Sequence, residues 1–304
     1  MKIVVFDLDE TLGYFVEYGI FWDCLNKYFL KENYELTQND FNEILDLFPE
    51  FLRPNIINIL NYLKNKSPLT QSDFDNILDL YPEFLRPNII NILNYLKSKK
   101  QSFCCHKMMI YTNNQGPQKW AQQIISYFES KINYKLFDQI IAAFKVNGKK
   151  IEIFRTSHDK SYNDLIRCTQ IPLDAEICFL DDNYFPEMTH KNVYYINIKP
   201  YYHDLRFETM IQRFLSSNLG KKLIMEKDDN NIKFMNLMMR EFKKYNFFVK
   251  NKDENENEVD KILSKEILSH LQEFFNKSLK TKSRYNRTKK NNGNKRNKTM
   301  KIKN

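Results

Sequence analysis

The sequence carries the stretch Ile3-Val4-Val5-Phe6-Asp7-Leu8-Asp9-Glu10-Thr11-Leu12 close to its N-terminus. Four apolar residues followed at once by aspartates are typical of a buried strand that ends at a polar site. Residues two apart point the same way if the strand continues, so the carboxylates of Asp7 and Asp9 can converge. Left unpaired, they would raise each other's pKa, whereas Mg²⁺ would remove that cost and prefers carboxylate oxygens. The stretch therefore predicts a magnesium site at the end of the first strand.

Similar short apolar segments recur along the chain and alternate with helical patterns. This alternation predicts an α/β fold, with a doubly wound parallel sheet of the Rossmann-like kind. Such sheets bind ligands just beyond the carboxyl ends of their strands. The predicted strands are Ile3–Phe6, Met108–Tyr111, Ile177–Leu180, Val193–Ile198 and a weaker Gln139–Phe144, and the helices between them are Gln118–Glu129 and Tyr162–Cys168.

Two other predicted strands also end in polar residues, which indicates one shared site. Asp181 and Asp182 follow Ile177–Leu180 and supply further carboxylate ligands for a metal. Thr112 follows the Met108–Tyr111 strand and precedes a helical pattern. Its hydroxyl can therefore hold a phosphate oxygen, together with backbone N–H groups near the helix start. A lysine near the site would neutralise the charge that develops on a transferring phosphoryl group.

These segments resemble the motifs of the haloacid dehalogenase superfamily of phosphatases. The resemblance covers roughly residues 1–200, and the motifs stand in the order that the superfamily uses. Thr112 lies 105 residues after Asp7, and Asp181 lies 69 residues after Thr112. Asp7-Leu8-Asp9-Glu10-Thr11 resembles the first motif, Ile110-Tyr111-Thr112-Asn113 the second and Asp181-Asp182 the fourth.

The resemblance implies a role for each matching residue. Asp7 would attack phosphorus and form an aspartyl-phosphate, and Asp9 would protonate the leaving alcohol and then activate water. The presence of Asp9 favours a phosphatase over a dehalogenase. Mg²⁺ would bind to Asp7, the backbone carbonyl of Asp9 and Asp181, while Asp182 would ligate the metal or hold a metal-bound water. The implied phosphate-binding residues are Thr11, Thr112, Asn113 and Lys160.

The lysine of the third motif is the least determined member of this set. Lys160 begins a helical pattern and lies 21 residues before Asp181, a common separation in the superfamily. Lys145, Lys149 and Lys150 are competitors. The prediction is Lys160, and a surface lysine is the alternative for each of the four.

The substrate class stays open between three kinds of phosphomonoester. The Asp7–Leu12 run, the Phe84-Leu85-Arg86-Pro87 turn and the double aspartate resemble the RNA polymerase C-terminal-domain phosphatases, which implies phosphoserine or phosphothreonine in proteins. Asn88 departs from that family, which usually has Gly after Arg-Pro. The Thr112–Gly116 segment resembles polynucleotide 3′-phosphatases over a shorter length. A helical lid over Asp7 would instead restrict the enzyme to small metabolites.

The long connection before the second motif contains an internal repeat. Residues 41–64 recur as 74–97, with 21 of 24 positions the same. Two copies are too few for a solenoid, so we expect an extra helical hairpin or a duplicated partner-binding surface. Helical patterns at Phe207–Leu219, Asn231–Phe248 and Glu258–Leu279 follow the core, with a linker at Asn251–Glu258. The predicted domains are a catalytic core (1–13 and 98–204), a helical insert (14–97), a helical extension (205–279) and a disordered basic tail (280–304).

The basic charge of the chain belongs to its tail. Lys280–Asn304 holds eleven Lys or Arg and no acid, so the net charge of +9 becomes −2 for residues 1–279. The tail predicts a solvated end, a nuclear-import signal or a nucleic-acid contact. Five cysteines without a C-x-x-C pair, no secretory leader and no long apolar run indicate a soluble intracellular protein, cytoplasmic or nuclear, without a membrane span.

Two classes of function therefore compete. The first is a magnesium-dependent phosphatase that acts on a phosphorylated protein or a smaller phosphomonoester. The second is a catalytically silent binding or scaffold protein that keeps the fold and acts through its repeated helices and basic tail. Because every chemical residue is present, the sequence favours the enzyme.

Overall fold

The computed structural model describes residues 1–34, 69–116, 119–224, 228–245 and 251–277. The first copy of the repeat, residues 41–64, and the basic tail, residues 280–304, lie outside the described residues. The predictions of an inserted hairpin and of a disordered tail therefore concern residues that are not described.

A five-stranded, all-parallel sheet forms the centre of the fold, with the strand order β3-β2-β1-β6-β7. The predicted α/β class and parallel sheet are confirmed, and the weak fifth strand is present but ends early, at Ile141. A short antiparallel hairpin, β4–β5, was not predicted. The strands are β1 (Lys2–Phe6), β2 (Lys107–Tyr111), β3 (Gln139–Ile141), β4 (Lys145–Val146), β5 (Lys149–Lys150), β6 (Glu176–Asp181) and β7 (Val193–Asn197).

Both faces of the central strands are buried, which explains why their sequences are continuously apolar. Alternate residues of a strand point to opposite faces, and Ile3, Val4 and Val5 of β1 are all fully buried. One face packs on the helix at Tyr162–Thr169. The buried cluster on that face includes Ile3, Val5, Met109, Tyr111, Tyr162, Leu165, Ile177 and Phe179.

The chain changes direction across the sheet at β1, which is the topological switch point. From β1 the chain reaches β2 and β3 on one side, and afterwards β6 and β7 on the other. Parallel sheets bind ligands in the crevice at such a point, outside the carboxyl ends of the strands. Asp7 and Asp181 lie at that edge, after β1 and at the end of β6.

The described helices agree with the predicted ones in position and differ at their ends. Ser217 takes an extended conformation and ends the helix predicted over Phe207–Leu219, so two helices replace one. The predicted linker Asn251–Glu258 is wrong in its second half, because Asp253 and Glu256 form a capping box. The helices are α1 (Val16–Tyr34), α2 (Gln71–Leu78), α3 (Ile89–Gln101), α4 (Trp120–Ile132), α5 (Tyr162–Thr169), α6 (Phe207–Ser216), α7 (Asn218–Ile224), α8 (Asp228–Lys243) and α9 (Glu254–Asn276).

The chain forms two compact units that divide it differently from the predicted domains. The sheet unit comprises residues 1–14, 85–202 and 252–304, and the helical unit comprises residues 15–84 and 203–251. The predicted helical extension is therefore shared between the units. The second repeat copy is shared as well, since the border falls between Phe84 and Leu85.

Each unit has its own internal contacts. In the helical unit, the ring of Phe21 lies edge-on to those of Tyr81, Phe207 and Phe214, at centroid distances of 5.6, 5.7 and 5.8 Å. In the sheet unit, Tyr194 of β7 bonds to the His270 ring of α9 at 2.9 Å. No helix among the described residues combines the length and the apolar character that crossing a bilayer requires.

Asn88 precedes α3 in the left-handed conformation, with φ of 61°. Glycine is favoured at such an angle, and asparagine is among the residues that tolerate it. The departure of Asn88 from the glycine usual in the resembled family is therefore compatible with the backbone at this turn.

Candidate active site and metal centre

Asp7 and Asp181 become neighbours because their strands pair in parallel. Phe6 lies opposite Leu180 in the register of β1 and β6, and the Asp7 amide donates to the Leu180 carbonyl at 2.9 Å. Both side chains are almost completely buried. Two aspartates far apart in sequence thus end adjacent strands at the switch point.

Lys160 joins these two carboxylates. Its Nζ lies 2.5 Å from Asp7 Oδ1 and 2.6 Å from Asp181 Oδ2, with the lysine 2% exposed. Lys160 stands immediately before Ser161, the N-cap of α5, whose hydroxyl accepts from the Asp164 amide at 3.1 Å. The cap fixes where the helix begins, and hence where the lysine leaves the backbone.

The three competing lysines lie elsewhere. Lys145, Lys149 and Lys150 form the β4–β5 hairpin and are exposed to solvent. Among the four candidates, the structure brings Lys160 to the aspartates.

Asp7, Asp181 and Asp182 could together hold a metal ion. One carboxylate oxygen from each lies within 4.8 Å of the others. Burial raises the pKa of Asp181 to about 7, and burial together with the charge of Asp7 raises the pKa of Asp182 to about 6. Lys160 supplies one positive charge against three carboxylates, so their ionised forms are under-compensated. A hard divalent cation fits this donor set.

Asp9 lies next to this cluster in a different environment. Its Oδ2 accepts from the Asn114 side chain at 2.7 Å, while its Oδ1 is buried without a hydrogen-bond partner among the described residues. Burial and the charge of Asp7 raise the pKa of Asp9 to about 7, against the lowering effect of the Asn114 bond. Such a carboxyl group can both give and take a proton near neutral pH.

The remaining predicted residues divide between the pocket and its supports. Thr112 and Asn113 line a pocket of about 200 Å³ with Asp7, Asp9 and Lys160. The Thr112 hydroxyl accepts from the Asn114 amide at 3.0 Å, and the Asn113 side-chain oxygen accepts from Arg155 at 2.7 Å.

Thr11 is placed as a support. Its side chain is buried, with the hydroxyl 3.4 Å from Asp182 Oδ1. Its carbonyl accepts from Arg86 Nε at 2.7 Å. The described residues that line the pocket do not include Thr11.

Arg155 was missed by sequence reasoning, although it organises one side of the site. It is fully buried and donates to the carbonyls of Thr112, Ala142 and His158 at 3.0, 2.8 and 2.9 Å. The Thr112 carbonyl directly follows β2, the Ala142 carbonyl directly follows β3, and the His158 carbonyl lies shortly before Lys160. Most partners of Arg155 are backbone carbonyls, which every residue has, so no sequence motif predicts this role.

Arg86 supports the loop that follows Asp9. It donates to the carbonyls of Glu10, Thr11 and Lys199 at 2.5, 2.7 and 2.8 Å. Glu10 has a φ of 59°, an unfavourable angle for a residue with a side chain. Strained backbone of this kind persists when its surroundings hold it, and it is found preferentially at functional sites. The Arg-Pro turn was noted in the sequence, but its contact with this loop was not predicted.

Comparisons with protein-family models, with curated proteins and with solved structures give no match for this chain.

Proposed function

We propose that this protein is a magnesium-dependent phosphatase that hydrolyses phosphomonoesters through an aspartyl-phosphate on Asp7. The observation that carries the proposal is the convergence of Asp7, Lys160 and Asp181, with contacts of 2.5 and 2.6 Å, beside the separately protonatable Asp9. Nucleophilic phosphoryl transfer needs this combination of an ionised nucleophile, a cation and a group with a pKa near neutrality. The motif resemblance to the haloacid dehalogenase superfamily points the same way.

The residues divide the work as follows. Asp7 attacks phosphorus, and Asp9 gives its proton to the oxygen of the departing alcohol. Asp9, now ionised, takes a proton from the water that attacks the aspartyl-phosphate, and phosphate leaves from Asp7. Lys160 holds Asp7 in place and offsets negative charge on the phosphoryl group. Asp7, Asp181 and Asp182 would hold Mg²⁺, which supplies charge neutralisation between the carboxylates and the incoming phosphate.

An Asp7→Asn substitution tests the nucleophile. We expect it to lower the magnesium-dependent hydrolysis of an aryl phosphate by about a thousandfold or more, because an amide cannot attack phosphorus. Borohydride reduction of the wild-type enzyme during turnover should convert Asp7 into homoserine, which mass spectrometry of the peptide would locate.

A matched control uses an exposed aspartate of the same unit. Asp174→Asn removes the same charge outside the pocket and should retain activity. If wild type and Asp7→Asn are equally inactive on a broad phosphate panel, the catalytically silent scaffold becomes the better account.

The substrate class is the finer part of the proposal. The resemblance to the C-terminal-domain phosphatases favours phosphoserine or phosphothreonine in proteins. A panel of phosphopeptides, polynucleotides with a 3′-phosphate and small phosphorylated metabolites, compared by kcat/KM, distinguishes the three classes.

A further inference from the structure

A second, larger cavity adjoins the catalytic pocket. It has a volume of about 500 Å³ and shares Thr112 and Asn114 with the pocket around Asp7. Asn114 stands between the two spaces, because its amide nitrogen bonds to Asp9 and its oxygen accepts from the Gly116 amide at 2.8 Å.

The two volumes indicate what each space can contain. Whole-ligand sites usually measure about 300–1,000 Å³. The pocket of about 200 Å³ is therefore suited to a phosphoryl group and its waters, and the rest of a substrate needs further room. The cavity beyond Asn114 lies on the Asp9 side of the pocket, where the leaving alcohol must be to receive a proton from Asp9.

The lining of this cavity has two chemical parts. Its apolar part includes Ile140, Ala143 and Ile151, which suits a hydrophobic or ring-shaped group. Its charged part is Lys149 and Lys150, and the described lining residues include no carboxylate to balance them. This part of the site therefore favours an anion.

The hairpin that carries these lysines turns at Asn147 and Gly148, and its Lys145 and Lys150 lie over the Phe144 ring, with Nζ 4.9 and 5.2 Å from the ring centre. Lys145 lies directly opposite Lys150 in the β4–β5 ladder, and like charges opposite each other destabilise a strand pair. None of the three hairpin lysines forms an ion pair with any acid among the described residues. An anion bound at the hairpin would offset this repulsion.

We infer that this cavity is the leaving-group subsite, and that the substrate is a phosphomonoester with an apolar portion beside the ester and a second anionic group bound by Lys149 and Lys150. The inference rests on the proposed function, because it places the scissile phosphate at Asp7. Phosphopeptides and nucleotide ends can both present this combination, and the substrate panel above distinguishes them.

The test compares two probes, 1-naphthyl phosphate and a naphthyl phosphate with a sulfonate on its second ring. Their binding is measured by calorimetry on Asp7→Asn with Mg²⁺, and their hydrolysis is measured on the wild type. We expect the sulfonate to lower Kd and KM by about fivefold, the size of one or two surface ion pairs. The preference should weaken as salt is added.

Charge variants show whether the hairpin is responsible. Lys149→Gln combined with Lys150→Gln should reduce the preference for the sulfonated probe to about one. Lys135→Gln combined with Lys191→Gln removes the same charge from exposed lysines outside the cavity and should keep the preference.

The outcomes separate the subsite from the proposed function. Hydrolysis of both probes without a sulfonate preference, or a preference that survives the Lys149 and Lys150 substitutions, overturns the subsite alone. A lysine-dependent preference in binding without any hydrolysis supports anion binding by Lys149 and Lys150 in this cavity, and it contradicts the proposed phosphatase and with it the leaving-group role.

Discussion

The pKa of Asp9 is close to neutrality, so the group can be either ionised or protonated near pH 7. Its pKa is raised to about 7 by burial and by the charge of Asp7, while the bond from Asn114 favours the ionised form. A general acid must carry its proton when the alcohol leaves, and a general base must have lost it. A pKa close to neutrality serves both steps.

A pH profile tests this role of Asp9. Because the protonated form is needed to expel an alkoxide, kcat/KM for an alkyl phosphate should fall as the pH rises above about 7. An aryl phosphate, whose leaving group needs no proton, should show a much weaker fall. Equal pH profiles for the two esters would contradict Asp9 as the acid.

Asn114→Ala gives a second readout of the same group. Removing a donor that stabilises the ionised form raises the pKa of Asp9, so the alkaline fall for the alkyl ester should move to higher pH. A purely structural effect of the substitution would lower the rate without moving the profile.

Arg155 connects the ends of β2 and β3 to the segment before Lys160. A buried guanidinium with four acceptors suits this task, since its planar group donates in several fixed directions. Lysine has one nitrogen and cannot reach all four acceptors. Their carbonyl and amide oxygens would then lose buried partners.

Arg155→Lys should lower the free energy of unfolding by about 3 kcal/mol, in the range for breaking charged buried hydrogen bonds. Urea unfolding followed by circular dichroism measures this change. Arg206→Lys alters an exposed arginine and should shift stability by less than about 0.5 kcal/mol. Similar stabilities for the two variants would remove Arg155 from this structural role.

The elements differ in how well sequence predicts them. The four main strands were predicted within one or two residues, because full burial demands runs such as Ile3–Phe6. Helix ends depended on caps, and the Asp253 cap was hidden inside a charged, Asn-rich segment. The strands of the β4–β5 hairpin are two residues long and mostly exposed lysine, so they show no apolar period, and the Asn147-Gly148 turn is the sequence signal that could have predicted the hairpin.

The residues of the candidate site also differ in how well the sequence predicts them. Asp7, Asp9 and Asp182 follow strands and Asp181 ends one, so the sheet alone predicts that these four aspartates lie at one edge. The prediction of Lys160 depended in addition on its separation of 21 residues from Asp181. Arg155 supports the site through backbone carbonyls, and such contacts exist only after folding has brought distant segments together.

The cluster of Asp7, Asp181 and Asp182 should link the stability of the protein to pH and, through the proposed metal site, to Mg²⁺. Asp181 and Asp182 have pKa values raised to about 7 and about 6 in the folded protein. The folded chain thus holds more protons than the unfolded chain between about pH 4 and pH 7. The free energy of unfolding should therefore fall as the pH rises through that window.

Magnesium should reverse this loss at the upper end of the window. A metal at about a hundredfold its Kd adds about 2.7 kcal/mol to the free energy of unfolding. We expect the melting temperature to rise more on adding Mg²⁺ above pH 7 than below pH 5, where protons compete. Asp181→Asn should abolish the magnesium shift, and a full shift in that variant would exclude the proposed metal site.

The domain pattern could not be predicted from the sequence because contacts, and not chain order, define the units. In the sequence, residues 252–277 are separated from β7 by helices of the helical unit. They nevertheless belong to the sheet unit. The Tyr194–His270 bond is one contact behind this grouping. A prediction from chain order alone assigns sequence neighbours to one domain. It cannot detect that the chain comes back to the sheet unit after residue 251.

The border between Phe84 and Leu85 also bears on how the chain evolved and how it folds. The segment that was copied is not a self-sufficient module, since its two halves belong to different units. Arg53 and Pro54 of the first copy match Arg86 and Pro87 of the second. The sequence thus holds two Arg-Pro segments, while the described carbonyls of Glu10 and Thr11 accept from Arg86. Two copies of one sequence are therefore present for one place in the fold, and in the described structure the second copy occupies it.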